Sequence, residues 1–155
     1  MTNRRYRILA GLTLLALASC TGGEGGAKGK KAPPRPAPGE KEVAPHRGTL
    51  FADAGHKYHA ELVLRPAGNQ ATVYLLDNKA KNPVASPGKA VILNIADSPP
   101  VQVSLAAKPQ EGDPEGSASR FEGSHDRLGK GLDLGKVEIS ATLQGKPYVF
   151  KPEKD

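Results

Sequence analysis

Apolar residues at every second position are the feature of this sequence that most limits its fold. Over residues 58–65 the side chains at even positions are apolar, whereas the odd positions include His59, Glu61 and Arg65. A period of two is that of a β-strand, in which successive side chains point to opposite faces. No long segment after residue 45 has the 3.6-residue period of an amphipathic helix. The pattern therefore predicts an all-β fold.

Further short apolar segments follow, separated by turn residues. Residues 66–69 and 144–146 supply turns, residues 109–119 are expected to form a loop, and a single helical turn is expected within 125–132. Short strands at this spacing predict a single antiparallel sandwich or barrel, and we expect an Ig-like or similar β-sandwich. The predicted strands are 49–52, 58–65, 71–76, 90–95, 101–106, 136–143 and 148–151.

The N-terminus has the layout of a secretory signal. Three arginines precede the small and apolar run Ile8–Ser19, which at twelve residues is too short for a permanent membrane span of about 20. The run ends in Leu17-Ala18-Ser19-Cys20, which resembles the lipobox of bacterial lipoproteins, and Cys20 is the only cysteine. The resemblance implies cleavage after Ser19, lipidation of Cys20, and acylation of the new amino terminus by a fatty acid such as palmitate.

A tether is expected between the lipid and the folded part. Residues 21–45 are rich in glycine and proline, which predicts a disordered linker with a reach of roughly 28 Å. The expected organisation is thus signal peptide 1–19, lipidated cysteine and linker 20–45, and a β-sandwich domain over 46–155. We expect a membrane-anchored protein that faces the periplasm or the exterior. Thr21 resembles an outer-membrane sorting signal if the cell has two membranes.

Charge and missing motifs exclude several functions. Residues 46–155 carry 14 basic and 13 acidic residues, so the domain lacks the basic surface that nucleic-acid binding requires. The string Ser124-His125-Asp126 is contiguous, whereas a catalytic triad is assembled from separated segments. No phosphate-binding loop or nucleophile elbow is present. We therefore expect a binding or accessory module without catalytic residues.

The histidines suggest a metal site. Three of the four lie within fourteen positions, and His59 and Glu61 share one face of a strand about 7 Å apart. Together with His46, or with His56 as another possible ligand, they would suit Zn²⁺ or Cu²⁺. The alternative is that these residues are ordinary strand and loop residues of a structural or protein-interaction lipoprotein of the cell envelope.

Several motifs resemble those of a poorly characterised family of small exported bacterial β proteins. They are Pro45–Leu50, Tyr58–Val63, Val73–Asp77, Ser119–Phe121 and Gly145–Tyr148. Members are found near heavy-metal efflux components, which implies metal handling and envelope or efflux proteins as partners. The family's histidines correspond to His46 and His59, and Arg47 stands where the family has glycine.

Overall fold

A computed structural model describes residues 43–153, which form eight β-strands and three short 3₁₀ helices. The predicted signal peptide, Cys20 and the predicted linker as far as residue 42 lie outside the described residues. None of the helices in residues 43–153 has the length and apolar character needed to cross a membrane. The strands are β1 (Thr49–Asp53), β2 (His59–Arg65), β3 (Gln70–Leu76), β4 (Ala90–Ile95), β5 (Val101–Ala107), β6 (Arg120–Ser124), β7 (Val137–Leu143) and β8 (Lys146–Pro152).

All neighbouring strands are antiparallel, and they close into a barrel in the order β1-β2-β3-β6-β5-β4-β7-β8. The predicted all-β, antiparallel class is confirmed, whereas the predicted β-sandwich is replaced by a closed barrel. The connection 77–89 joins β3 to β4 at one end of the barrel, and 125–136 joins β6 to β7 at the other. The predicted helical turn corresponds to the 3₁₀ helix Asp126–Leu128.

Strand β6 was missing from the sequence-based prediction, and it is the strand that joins β3 to β5. Its sequence includes Gly123 and only one large apolar residue, Phe121, so it lacks the pattern of a strand. A Cβ atom at Gly123 would lie 2.9 Å from the Ser104 carbonyl oxygen of β5. Glycine here permits the close approach of two backbones. Without β6 the other seven strands would form one open sheet in the order β3-β2-β1-β8-β7-β4-β5, so β6 is the strand that closes the barrel between β3 and β5.

Two junctions of the barrel are narrow. Strands β5 and β6 pair only through Ala106 with Glu122 and Ala107 with Phe121. Strands β1 and β8 pair at three positions, including Phe51 with Pro152, and proline has no N–H to donate. We call the β1–β8 junction the closing seam, because it joins the first strand of the barrel to the last.

Inward-facing side chains fill the barrel. The alternating residues of β2 behave as predicted on this face, since Tyr58, Ala60 and Leu62 are buried in the core and Leu64 packs against it. The largest fully buried side chains include one phenylalanine from each of β1, β6 and β8: Phe51, Phe121 and Phe150. Because the interior is a packed core, polar chemistry in the described residues has to be sought at loops and on the outer face.

Candidate metal site

The outer face of β2 is covered, although its sequence resembles a solvent-exposed face. His59 and Glu61 point away from the core, yet their side chains are only 1% and 0% exposed. A second small apolar cluster lies on this side of the barrel, formed by Leu50, Leu76 and Ala80 with Ala44 and Tyr74 packed against it. Burial of two polar side chains requires hydrogen-bonding or charged partners for each.

Glu61 is held by the turn that precedes β1. Its Oε1 accepts hydrogen bonds from the backbone N–H of Gly48 at 2.7 Å and of His46 at 2.8 Å. Its Oε2 lies 2.8 Å from the Nδ1 atom of His46. Since these contacts occupy both oxygens, the carboxylate serves to attach residues 44–48 to the barrel and is poorly placed to bind a metal ion as well.

His46 itself is packed against an aromatic ring. Its imidazole stacks on Tyr74 with ring centroids 3.6 Å apart and an angle of 4° between the planes. Tyr74 stands directly opposite Glu61 in the β2–β3 pair, so β3 supplies the surface on which the histidine lies. Stacking and the contact to Glu61 together fix the position of the ring. The sequence analysis grouped His46 with Glu61, and the two residues are in contact. Their contact attaches the turn 44–48 to the barrel.

His59 faces a different set of groups. Its Nδ1 lies 3.0 Å from the backbone oxygen of Asp77, and because a carbonyl oxygen can only accept, Nδ1 is the donor. In a neutral ring this places the lone pair on Nε2, which lies 3.4 Å from Oε1 of Glu153. Glu153 directly follows β8, and its N–H donates to the Leu50 carbonyl oxygen of β1.

The register explains how residues so distant in sequence meet. His59 pairs with Ala52 of β1, and Ala52 pairs with Lys151 of β8. Ala52, which lies between the two strands' partners in the register, carries only a methyl side chain. Closure of the barrel is thus what brings the first hairpin and the C-terminal strand together.

The hairpin turn between β1 and β2 supplies the third group. His56 Nδ1 lies 3.8 Å from Oε1 of Glu153, and its ring centroid is 6.1 Å from that of His59. The backbone of His56 has φ 49°, in the left-handed region that is sparsely populated by non-glycine residues. One ligand atom from each of His56, His59 and Glu153 can be chosen so that all three lie within 4.8 Å of one another.

Asp53 at the end of β1 gives this turn its shape. Its carboxylate accepts hydrogen bonds from the N–H groups of Gly55, Lys57 and Tyr58 at 2.7–2.9 Å. Burial alone would raise the pKa of Asp53, but these three donors, with the nearby His56, lower it below its ordinary value of 3.8. An ionised Asp53 therefore holds the turn, and through it the position of His56.

Two of the distances in the cluster, both to Glu153, are close to those that a bound ion requires. A tetrahedral Zn²⁺ with ligands at 2.0–2.1 Å places its ligand atoms about 3.4 Å apart. The two contacts of Glu153, at 3.4 and 3.8 Å, meet this value with little rearrangement. The donation from His59 Nδ1 to a backbone carbonyl is also the usual support of a metal-binding histidine.

The structure thus divides the sequence-predicted ligands into two groups. Within residues 43–153, His59 and His56 form a three-ligand cluster with Glu153, whereas His46 and Glu61 belong to the anchor of the N-terminal turn. The fourth histidine, His125, accepts a hydrogen bond from the backbone N–H of Arg127 and begins a 3₁₀ helix. Sequence reasoning missed Glu153, because nothing in the local pattern signals a contact made only by closing the barrel.

Comparison of the chain with protein-family models, with curated proteins and with solved structures finds no match. The resemblance to exported metal-associated proteins therefore stays a prediction. What the described residues define is a small antiparallel β-barrel with a His–His–Glu cluster at its closing seam.

Proposed function

We propose that this protein is a lipid-anchored, exported β-barrel domain that binds one divalent transition metal ion through His56, His59 and Glu153. The observation that carries the proposal is the placement of three ligand atoms within 4.8 Å of one another. Two imidazole nitrogens and one carboxylate oxygen suit Zn²⁺ or Cu²⁺. The membrane anchor of the proposal is the lipid on Cys20, which the lipobox implies.

The electrostatics of the cluster favour a cation. Nε2 of a neutral His59 and an ionised Glu153 are both acceptors, and two acceptors that face each other at 3.4 Å repel unless a positive charge lies between them. Either a proton on the imidazole or a metal ion supplies that charge. The imidazole of His56 beside the same carboxylate favours the metal ion, because one metal ion can bind both imidazoles and the carboxylate at once.

The proposal is for binding rather than catalysis. Glu61 and Asp53 are the buried carboxylates of β1 and β2, and both accept several backbone hydrogen bonds. A carboxylate engaged in this way stabilises a turn and is a weak candidate for a general base.

Calorimetric titration of the exported protein with Zn²⁺ and Cu²⁺ tests the proposal. We expect one ion per chain, and at least a tenfold loss of affinity in His56→Gln and in Glu153→Gln. Both side chains are exposed enough, at 70% and 33%, for the variants to fold. The matched control is His125→Gln, an exposed loop histidine outside the cluster, whose affinity should stay within threefold of the original.

The same titration separates the two groups of sequence-predicted ligands. His46→Gln should leave the affinity unchanged, because His46 contacts Glu61 and Tyr74 rather than the cluster. Affinity weaker than about 1 mM, or equal loss in His125→Gln and His56→Gln, would contradict the proposal. The protein would then be better described as a structural or protein-interaction lipoprotein of the envelope whose glutamate pairs with protonated histidine.

A further inference from the structure

We infer that a metal ion in the His56–His59–Glu153 site keeps one coordination position open to solvent, and that this position takes an imidazole nitrogen or a thiolate sulfur from an acceptor molecule. The inference rests on the proposed metal binding and adds the class of partner. It follows from the exposure of the three ligands and from the way in which neighbouring polar groups are already engaged.

The three ligands range from a buried side chain to exposed ones. The side chain of His59 is 1% exposed, whereas that of Glu153 is 33% and that of His56 70% exposed. One buried ligand below and two partly open ligands at the rim place the ion at the protein surface. The hemisphere away from His59 is then accessible to solvent.

Within residues 43–153 the cluster comprises three residues, and no further histidine, cysteine or acidic residue joins it. The nearest sequence-predicted candidate for a fourth ligand is Glu61, two residues from His59. Its carboxylate is held by His46 and Gly48 and is completely buried. Releasing it would detach the turn 44–48 from the barrel, so Glu61 does not close the coordination shell.

An open position distinguishes this arrangement from a structural metal site. Structural Zn²⁺ sites are closed by four protein ligands, whereas sites with three protein ligands bind water or another molecule in the fourth position. Zn²⁺ binds imidazole nitrogen and thiolate sulfur, and Cu²⁺ binds imidazole nitrogen, in preference to water. An acceptor that contributes one such donor can therefore bind the ion before the histidines release it, which provides a direct route for transfer.

Visible absorption of the Co²⁺-loaded protein tests the inference, because the ligand-field bands of Co²⁺ report its coordination. We expect imidazole, and separately 2-mercaptoethanol, to change the band positions and intensities in a saturable manner, with one molecule bound per ion. Equilibrium dialysis should show that Co²⁺ stays with the protein at the same imidazole concentration. His125→Gln serves as the control variant and should respond as the unaltered protein does.

Asp155 lies outside the described residues and close to Glu153 in sequence, so Asp155→Asn is measured in parallel. If Asp155→Asn responds to imidazole as the unaltered protein does, solvent rather than Asp155 occupies the open coordination position. Bands that stay unchanged up to saturating imidazole, while Co²⁺ remains bound, would overturn the open position and leave the metal site intact. If Co²⁺ produces no protein-dependent bands and calorimetry detects no binding of Zn²⁺, both the metal site and the inference fail.

Discussion

Two residues on one face of β2 illustrate how partners decide the role of a side chain. His59 and Glu61 are separated by a single residue, point to the same side, and are both buried. Glu61 meets the turn 44–48, which saturates its carboxylate with backbone donors. His59 meets the Asp77 backbone oxygen and the Glu153 carboxylate, which fix the position of its imidazole. The sequence of β2 alone does not encode which partners these two side chains meet.

Arg47 and Gly48 in that turn should respond to substitution in opposite directions. Arg47 has φ 62°, a conformation that costs a non-glycine residue about 1–2 kcal/mol. After allowing for the greater chain entropy of glycine, Arg47→Gly should raise the free energy of unfolding by about 1 kcal/mol or less. Urea unfolding measures the change, and a loss of stability would show that the arginine side chain makes a compensating contact.

Gly48→Ala is the matched substitution one residue later. A Cβ atom there would lie 2.5 Å from the Leu62 carbonyl oxygen and 2.8 Å from Cγ of Glu61. Such overpacking should lower the free energy of unfolding by about 1–3 kcal/mol. The same urea titration checks it, and unchanged stability would mean that the turn 44–48 can move away from β2 without cost.

At the scale of loops and strands, aspartates organise the connections. Asp53, Asp77 and Asp113 each accept two or more backbone hydrogen bonds within their own loop. Asp113 contacts the N–H groups of Gln110 and Ser119 and also lies 3.1 Å from the Ser119 hydroxyl, which positions the entry to β6. The loop 109–119 was predicted from its composition, whereas the hydrogen bonds of Asp113 within it depend on the folded arrangement.

Asp113 should make stability dependent on acid pH. Burial tends to raise the pKa of its carboxyl, but the donors from Gln110 and Ser119, together with Arg120, lower it below 3.8. As the pH falls, Asp113 takes up a proton at a higher pH in the unfolded chain than in the folded one. The stabilisation from the ionised carboxylate is therefore complete above pH 3.8 and is lost as the pH falls through the lower folded pKa. Asp113→Asn should cost about 1–3 kcal/mol at pH 7, and less at pH 3.

Urea unfolding of both proteins at pH 7, 5 and 3 measures this difference. Because Asp113 belongs to a different loop from the His56–His59–Glu153 cluster, the comparison is made without added metal. If Asp113→Asn changes the free energy of unfolding by the same amount at all three pH values, the charge of the carboxylate contributes nothing to stability.

For the whole molecule, the cluster lies where the barrel closes. His56 and His59 belong to the first hairpin, and Glu153 follows the last strand. The closing seam between β1 and β8 has only three residue pairs. A bound ion would therefore connect the two ends of the folded chain, at the junction with few backbone hydrogen bonds of its own.

Zn²⁺ should slow hydrogen exchange most strongly at this seam. At a free concentration 100 times the dissociation constant, binding stabilises the folded state by about 2.7 kcal/mol. We expect the amides of Phe51–Asp53 and of Phe150 and Lys151 to gain more protection than those of the β4–β7 pair. Mass-resolved exchange with and without Zn²⁺ measures this, and His56→Gln should abolish the gain. Equal gains at both junctions would show that the ion stabilises the barrel only globally.

The predicted lipid anchor at Cys20 is tested on protein extracted from the membrane. Mass spectrometry should show that residues 1–19 are absent and that Cys20 carries diacylglycerol with an acylated amino terminus. Cys20→Ser should release the protein from the membrane fraction, because lipid attachment requires the thiol sulfur. An unmodified thiol, or a leader still attached in the native protein, would remove the account of where the domain acts.

The all-β class, seven of the eight strands and the shape of several turns followed from sequence, because period-two alternation and turn chemistry are local properties. The barrel did not follow, since Gly123 in β6 carries no strand signal and is required for a contact with β5. Likewise, sequence identified His46, His56, His59 and Glu61 as candidate ligands but could not assign their partners. Only tertiary structure placed Glu153 beside His56 and His59, because that contact depends on strand register across the closing seam, which no local pattern encodes.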